Sequence, residues 1–416
     1  MDRKYKESGI EWIGKIPESW EVTRMKFLGA YLNGFAFKPE DWSSEGLPII
    51  RIQDLSGSND CPNYYKGVID NKYLIHKGDI LISWAATLDT FVWEKEDGWL
   101  NQHIFKADIY PNTNKRFFYW LAKMAMLNMN NDNKHGIFMQ HVTTGTFNNF
   151  RVPLPSLSEQ QRIADYLDKK CGEIDSLIVL QEKMIEKLKA YKQSVITEAV
   201  TKGLDTNAYL VPSGIGWIGG IPEGWNIIRI KNLLKERKER SETGKEEPLS
   251  MSQKFGLIPT KDMDMIPNMA SSFVGAKVVY KSDLVFNKLK AHLGVFSVSK
   301  YYGLVSPDYA VYYSTGRADL KYLEYLFKTP QCIGEFRKRS TGVGAGLTRL
   351  YTDDLYSILI PFPALQEQHN IAIYLDEKCA DIDRLIALKQ QKIDTLNEYK
   401  KSLIYEAVTG KIDLTA

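Results

Sequence analysis

Cysteine is scarce in this chain of 416 residues: Cys61, Cys171, Cys332 and Cys379 are scattered and form no CxxC pair. That excludes a disulfide scaffold and a zinc ribbon. The six histidines, His76, His103, His135, His141, His292 and His369, show no ligand spacing, so no metal is expected. There is no GxxxxGKS phosphate loop and no HExxH. No apolar run is long enough to cross a bilayer, and the opening Met1-Asp2-Arg3-Lys4-Tyr5-Lys6 leads into no signal core, so a cytoplasmic protein is expected. Charge of one sign is also lacking: 54 Lys and Arg stand against 51 Asp and Glu, a net +3. The whole chain is therefore not basic, and a nucleic-acid groove would have to be basic locally. What remains, 44% hydrophobic and 25% charged, suits a globular protein of two or three domains.

What is present is said twice. Ser8-Gly9-Ile10-Glu11-Trp12-Ile13-Gly14-Lys15-Ile16-Pro17-Glu18-Ser19-Trp20 returns from Ser213 to Trp225, 205 positions on. Pro153-Leu154-Pro155-Ser156-Leu157-Ser158-Glu159-Gln160-Gln161 returns from Pro361 to His369, 208 positions on. Near-equal shifts mean one long unit was duplicated, with shared entrance, private middle and shared exit. Two like frames around unlike inserts imply one task performed at two places.

The exits read as long helices. Ile174, Leu177, Gln181, Met184, Leu188, Tyr191 and Val195 alternate steps of three and four, as do Ile382, Leu385, Lys389, Lys392, Leu396, Tyr399 and Leu403. That is a coiled-coil seam, with the two lysines weakening its second copy. Ser158 with Gln161 suggests a capping box after Pro153 and Pro155, and Gln366 in the second copy offers none. Stops fall at Lys202-Gly203 and near Gly410. Each helix spans about forty residues, roughly 60 Å. Antiparallel pairing is expected, because it gives the duplicated chain an internal two-fold axis. Cys171 and Cys379 keep helix-face spacing to Leu167 and Ile174, and to Leu375 and Ile382, which marks them as small buried hydrophobes.

The private middles, 21–152 and 226–360, mix β-rich runs (47–52, 79–84, 283–286) with helical stretches near 116–129 and 318–327. Each reads as a compact α+β domain. Lys77-Gly78-Asp79-Ile80-Leu81 answers Lys281-Ser282-Asp283-Leu284-Val285. No catalytic constellation appears. Ser306-Pro307-Asp308-Tyr309 resembles the Pro-Pro-aromatic motif of amino-methyltransferases but lacks the second proline. Gly342-Val343-Gly344-Ala345-Gly346 has no clear strand before it, and Asp262 with Asp264 has no partner lysine at nuclease spacing. The middles do hold Arg51-Ile52-Gln53, Asn101-Gln102-His103, Thr143–Thr146, Lys288–His292 and Arg337–Ser340. Arg and Lys can bridge guanine, Asn and Gln can bridge adenine, and Ser and Thr fit phosphates.

Trp-Ile-Gly-x-Ile-Pro-Glu-x-Trp, a variable domain, Pro-x-Pro-x-Leu-x-Glu-Gln and a long helix, all given twice, resemble the specificity subunit of type I restriction–modification systems. Glu159-Gln160, Ile163-Ala164 and Tyr166-Leu167-Asp168 carry the match, as do Glu367-Gln368, Ile371-Ala372 and Tyr374-Leu375-Asp376. The resemblance implies an α+β chain with two target recognition domains, 1–152 and 206–360, and two helical spacers, 153–205 and 361–416, paired as an antiparallel coiled coil. It implies a non-catalytic subunit that binds double-stranded DNA, one half-site per domain. Two modification and two restriction subunits would be its partners, with S-adenosylmethionine, ATP and Mg2+ on those partners and no cofactor or membrane for this chain. Candidate DNA contacts are Arg51, Gln53, Lys77, Trp84, Thr87, Asn101, Gln102 and Thr144, then Lys288, Lys290, His292, Ser306, Arg339 and Arg349. Trp84-Ala85-Ala86-Thr87 stands where many members of that family carry a basic, glycine-rich segment, and Trp84 suits the core equally well. The alternative is a coiled-coil scaffold whose globular ends bind two proteins.

Overall fold

The computed structural model describes residues 3–57, 61–132, 142–252, 255–263, 272–342 and 348–414. His135, His141, Asp264 and most of the glycine-rich stretch, 343–346, lie outside them. The chain divides into two units: Met1–Glu182 with Gln391–Ala416, and Lys183–Gln390.

In the first unit the entrance motif is a hairpin of Tyr5–Glu7 and Lys15–Pro17, followed by Glu21–Arg24 paired with Arg151–Leu154. The central sheet is antiparallel, in the order Gly29–Asn33, Ile104–Ile109, Ile80–Ser83, Asp89–Val92. Strand Ile80–Ser83 is buried throughout because both its faces are covered. Ile80 and Ile82 join Phe105, Phe117, Phe118 and Phe147 in the main core, while Leu81 joins Ile50, Ile75 and Leu100 in a smaller one. Successive side chains on a strand point to opposite faces, so one strand serves two cores. Around it lie α1 (Ile52–Leu55), α2 (Lys115–Asp132), α3 (Thr144–Asn149) and the start of α4 (Leu157–Lys202).

The second unit repeats the plan. Leu210–Pro212 and Gly220–Pro222 form the hairpin, and Asn226–Arg229 pairs with Leu359–Phe362. The sheet runs Leu234–Glu236, Tyr309–Ser314, Leu284–Asn287, Phe296–Val298. Leu284 and Phe286 enter the main core and Val285 the smaller one. Where the first unit has α2, this one has α5 (Leu320–Phe327) and α6 (Pro330–Arg339), broken at Thr329-Pro330. Pro330 cannot donate within a helix interior but suits a first turn, and Thr329 Oγ1 caps Cys332 N at 3.3 Å. Then come α7 (Thr352–Ser357) and α8 (Leu365–Val408).

Helices α4 and α8 have 46 and 44 residues. They end at Gly203 (φ +76°) and Gly410 (φ +75°), left-handed positions that favour glycine. Within the first unit Asp175 meets Lys400 at 2.6 Å, and within the second Asp383 meets Lys192 at 2.6 Å. Each residue of one pair is the repeat equivalent, 208 positions away, of a residue in the other, so one ion pair is made twice. Trp20 bonds the start of α4 and Gly410 lies beside Trp20, while Asp175 sits opposite Lys400. The pairing is antiparallel.

Two features depart from the sequence expectation. The capping residue of α4 is Ser156, not Ser158: Glu159 N donates to Ser156 Oγ at 3.4 Å and Ser156 Oγ donates to Glu159 Oε2 at 3.3 Å. The equivalent of Ser156 in α8 is Ala364, so α8 has no side-chain cap there. One of the seam's two rows is also displaced by a residue, while the row through Ile174, Gln181, Leu188 and Val195 keeps facing inward. Ile174, Ile382 and Leu403 are buried and Met184, Leu188, Val195 and Leu396 half-buried, but Leu177, Tyr191, Leu385 and Tyr399 are exposed. The buried stripe passes instead through Ile185, Ile196 and, in α8, Ile393. Doublets such as Leu177-Ile178 and Met184-Ile185 satisfy either row, and only packing decides between them. Lys392 is accordingly exposed beside Ile393. Cys171 and Cys379 are buried, and burial pushes the Cys171 thiol up to about 11.

Candidate nucleic-acid interface

The repeated residues build the frame. Glu159 Oε1 accepts from Trp20 Nε1 at 3.1 Å, and Glu367 Oε1 from Trp225 Nε1 at 3.2 Å. Gln160 Nε2 donates to Pro155 O at 3.0 Å while its Oε1 accepts from Asn114 N at 2.7 Å, at the start of α2. Gln368 does the same between Pro363 O, at 2.8 Å, and Asp319 N, at 2.9 Å, at the start of α5. The Glu-Gln pair therefore ties the entrance tryptophan, the proline strand and a domain helix to the long helix. Asp168 accepts from Trp120 Nε1 at 2.7 Å and Asp376 from Tyr325 OH at 2.6 Å.

The second fixed point aims the central strand. Asp79 Oδ2 accepts from His76 N, and Asp283 Oδ2 from Tyr280 N, both at 2.9 Å. Gly78 (φ +91°) and Ser282 (φ +69°) take the left-handed turn between them. From this turn the strand runs to the far edge of the sheet, where the two units diverge.

In the first unit that edge carries Trp84. Its Nε1 donates to Asn33 Oδ1 at 3.1 Å, its ring lies 4.7 Å from His103, and its inner face stacks on Phe105 at 5.8 Å. Trp84 is thus half core and half surface. Val142 N donates to Trp84 O at 3.0 Å, which brings the exposed Thr144 to the same edge. Asn101 and Gln102 arrive from the adjoining strand: Asn101 N donates to Ile50 O at 3.3 Å and Gln102 N to Phe35 O at 2.8 Å. Gly34 is required there, since a Cβ would stand 2.0 Å from Asn101 O. Arg51 follows Ile50, its guanidinium 5.4 Å from the Trp42 ring, with exposed Gln53 on α1 behind it. Thr87 is exposed in the turn after Trp84, next to Ala86 at φ +59°. Lys77 is not brought to this edge; it lies in the turn at the opposite end of strand Ile80–Ser83.

In the second unit Lys288 stands where Trp84 stands in the first. Leu350 N donates to Lys288 O at 3.0 Å, matching Val142 to Trp84. The short strand pair Thr341–Gly342 and Thr348–Arg349 closes over this edge. Gly342 is the second residue of this short strand. Thr348 Oγ1 lies 3.3 Å from His292 Nδ1, and Arg349 Nη2 donates to Asp308 Oδ1 at 2.7 Å. Ser306 Oγ accepts from Asp308 N at 3.3 Å, so Lys288, His292, Ser306 and Arg349 form one group. Burial, then the charges of Lys277 and Arg349, push the Lys288 ammonium below its ordinary value, with Glu236 and Asp308 opposing. Lys290 is exposed two residues on. Arg339 is held by Glu335 on α6. Ser306 also borders a cavity of about 400 Å³ with Ser250, Thr260, Phe273 and Tyr309.

Asn33 is the partner that sequence reasoning missed as a site residue, and His103 stood out only as the end of the Asn101-Gln102-His103 run. His103 sits at φ +75°, which no local pattern announces. Among the described residues no group of three His, Cys, Asp or Glu side chains could hold a metal ion, and no helix is long and apolar enough to cross a membrane.

The profile of the type I restriction modification DNA specificity domain matches this chain twice, over residues 17–190 and 222–398. The specificity subunit of type I restriction enzyme EcoBI from Escherichia coli is 23% identical over 439 residues, 98% of this chain and 89% of that protein. The MjaVIII specificity subunit from Methanocaldococcus jannaschii is 24% identical over 432 residues, 98% of this chain and 97% of that protein. A solved chain reported in work on complex assembly and conformational transition of the type I R-M system has a TM-score of 0.70 at 16% identity. The superposition covers 95% of this chain and 99% of that one, and the two share a fold.

Proposed function

The chain belongs to the type I restriction–modification DNA specificity family, and from that premise we propose that it reads a two-part DNA target, one half-site per unit. It performs no chemistry of its own. Two modification subunits, with S-adenosylmethionine, and two restriction subunits, with ATP and Mg2+, act where it directs them, in the cytoplasm. One observation carries the reading: the same edge of the same sheet bears Trp84, Asn101, Gln102 and Thr144 in one unit, and Lys288, His292, Ser306 and Arg349 in the other. A frame held constant by Glu159, Gln160, Glu367 and Gln368 around unlike polar edges suits two readings of unlike sequence.

The long helices serve as spacer and dock. Met184, Leu188, Tyr191, Leu385 and Lys389 line an apolar groove in the second unit, and this surface suits a partner subunit. The deciding experiment compares adenine methylation across the host genome with and without this gene. Loss of one split motif, two short half-sites around a fixed gap, is the expected result. Unchanged methylation in a strain expressing the modification subunits would overturn the reading in favour of a protein scaffold.

A further inference from the structure

The two middles differ in charge. Residues 21–152 contain 14 Lys and Arg against 14 Asp and Glu, a net charge of zero. Residues 226–360 contain 21 against 14, a net +7, more than the whole chain's +3. The excess reaches the edge of the sheet. Lys288 and Lys290 occupy the positions of Trp84 and Ala86 in the first unit, counting from the matched turns at Asp79 and Asp283. Arg337, near the end of α6, is exposed, and α6 packs on the turn that follows Lys290, where a Cβ on Gly294 would stand 3.7 Å from Ile333. Among the described residues Lys288, Lys290 and Arg337 make no ion pair, whereas Lys338 and Arg339 are both held by Glu335. In the first unit the corresponding edge is an indole against a histidine ring and an asparagine amide, flanked by Asn101 and Gln102, with Arg51 beside Trp42 as its cation.

We infer that the two units grip DNA by different physics. The second supplies the phosphate contacts, and the first reads bases through amide and aromatic groups with little net electrostatic attraction. The inference rests on the DNA-reading function above and goes further by dividing the labour. Lysine or arginine neutralising a phosphate releases condensed counterions, which gives a salt slope of about −0.9 per contact, whereas neutral hydrogen bonds and stacking give almost none. Lys288, Lys290 and Arg337 together are thus worth a slope of about −2.7.

The test uses the full chain assembled with its modification subunits and a random-sequence 40-base-pair duplex, with affinity measured against salt concentration. Lys288→Gln with Lys290→Gln and Arg337→Gln should flatten the slope by about two to three units. Lys290→Gln with Arg337→Gln, both exposed, should flatten it by about two and keeps the test valid if the half-buried Lys288 is needed for folding. Arg51→Gln, which neutralises the cation placed at the first unit's edge, should change it by less than about half a unit. Equal flattening by the two sets, or none by the second-unit set, would overturn the division while leaving DNA reading intact. No salt-dependent binding by the unaltered assembly, together with unchanged genomic methylation, would overturn the function and this inference with it.

Discussion

At the scale of single residues, the duplicated turn sets up a comparison internal to the chain. Gly78 and Ser282 hold the same left-handed backbone, with nothing within 4 Å of a Cβ at Gly78. A side chain in that conformation costs on the order of 1 kcal/mol, partly offset because glycine loosens the unfolded chain. Ser282→Gly should therefore stabilise the second unit by about 0.5 kcal/mol, and Gly78→Ser should destabilise the first by a similar amount. Urea unfolding followed separately in each unit checks this; shifts of the same sign in both would contradict it. The same scale limits what could be read beforehand. Gln160 and Gln368 were visible as a repeated pair, yet their roles, each joining a proline carbonyl to a helix start, depend on chain brought from 46 and 49 residues away. His103 and Asn33 reach Trp84 only through sheet pairing, so nothing adjacent in sequence marks them.

At the scale of elements, the helix starts differ by one hydroxyl. Ser156 caps α4, and Ala364 leaves α8 without that bond. Ser156→Ala should cost about 1 kcal/mol, and Ala364→Ser should recover somewhat less in the second unit, measurable as opposite shifts in denaturation midpoint. The helices were legible in the sequence to within a few residues because their three–four periodicity persists over many turns. The row that faces the partner was not, because apolar doublets at 177–178 and 184–185 fit both rows. The central strands were legible as β-rich runs. Their burial on both faces was not, because a run of three apolar residues does not say what covers it. If the helix pair sets the separation of half-sites, adding seven residues to both helices should widen the unread gap by about three base pairs, from roughly 10.5 Å of added rise. The half-sites should stay unchanged. Methylation mapping of the extended variant measures it, and an unaltered gap would remove the spacing role from the helices.

At the scale of the whole molecule, the first unit is discontinuous in sequence. Leu403, Ile404, Ala407 and Val408 are part of the same core as Phe105, Phe117 and Phe118, and Arg3 contacts both Glu159 and Asp413. The second unit, Lys183–Gln390, is a single stretch. Deleting residues 391–416 should therefore unprotect strands near the beginning of the chain, Ile80–Ser83 and Ile104–Ile109, and spare Leu284–Asn287. Hydrogen exchange on the shortened chain gives the answer, and loss of protection confined to the second unit would refute it. The same feature sets an order of birth. On the ribosome, at roughly 5–20 residues per second, the first domain emerges about 12 to 47 s before the helix end that seals its core. The later-made domain matures first, and the earlier one spends that interval as an open client of whatever holds nascent chains.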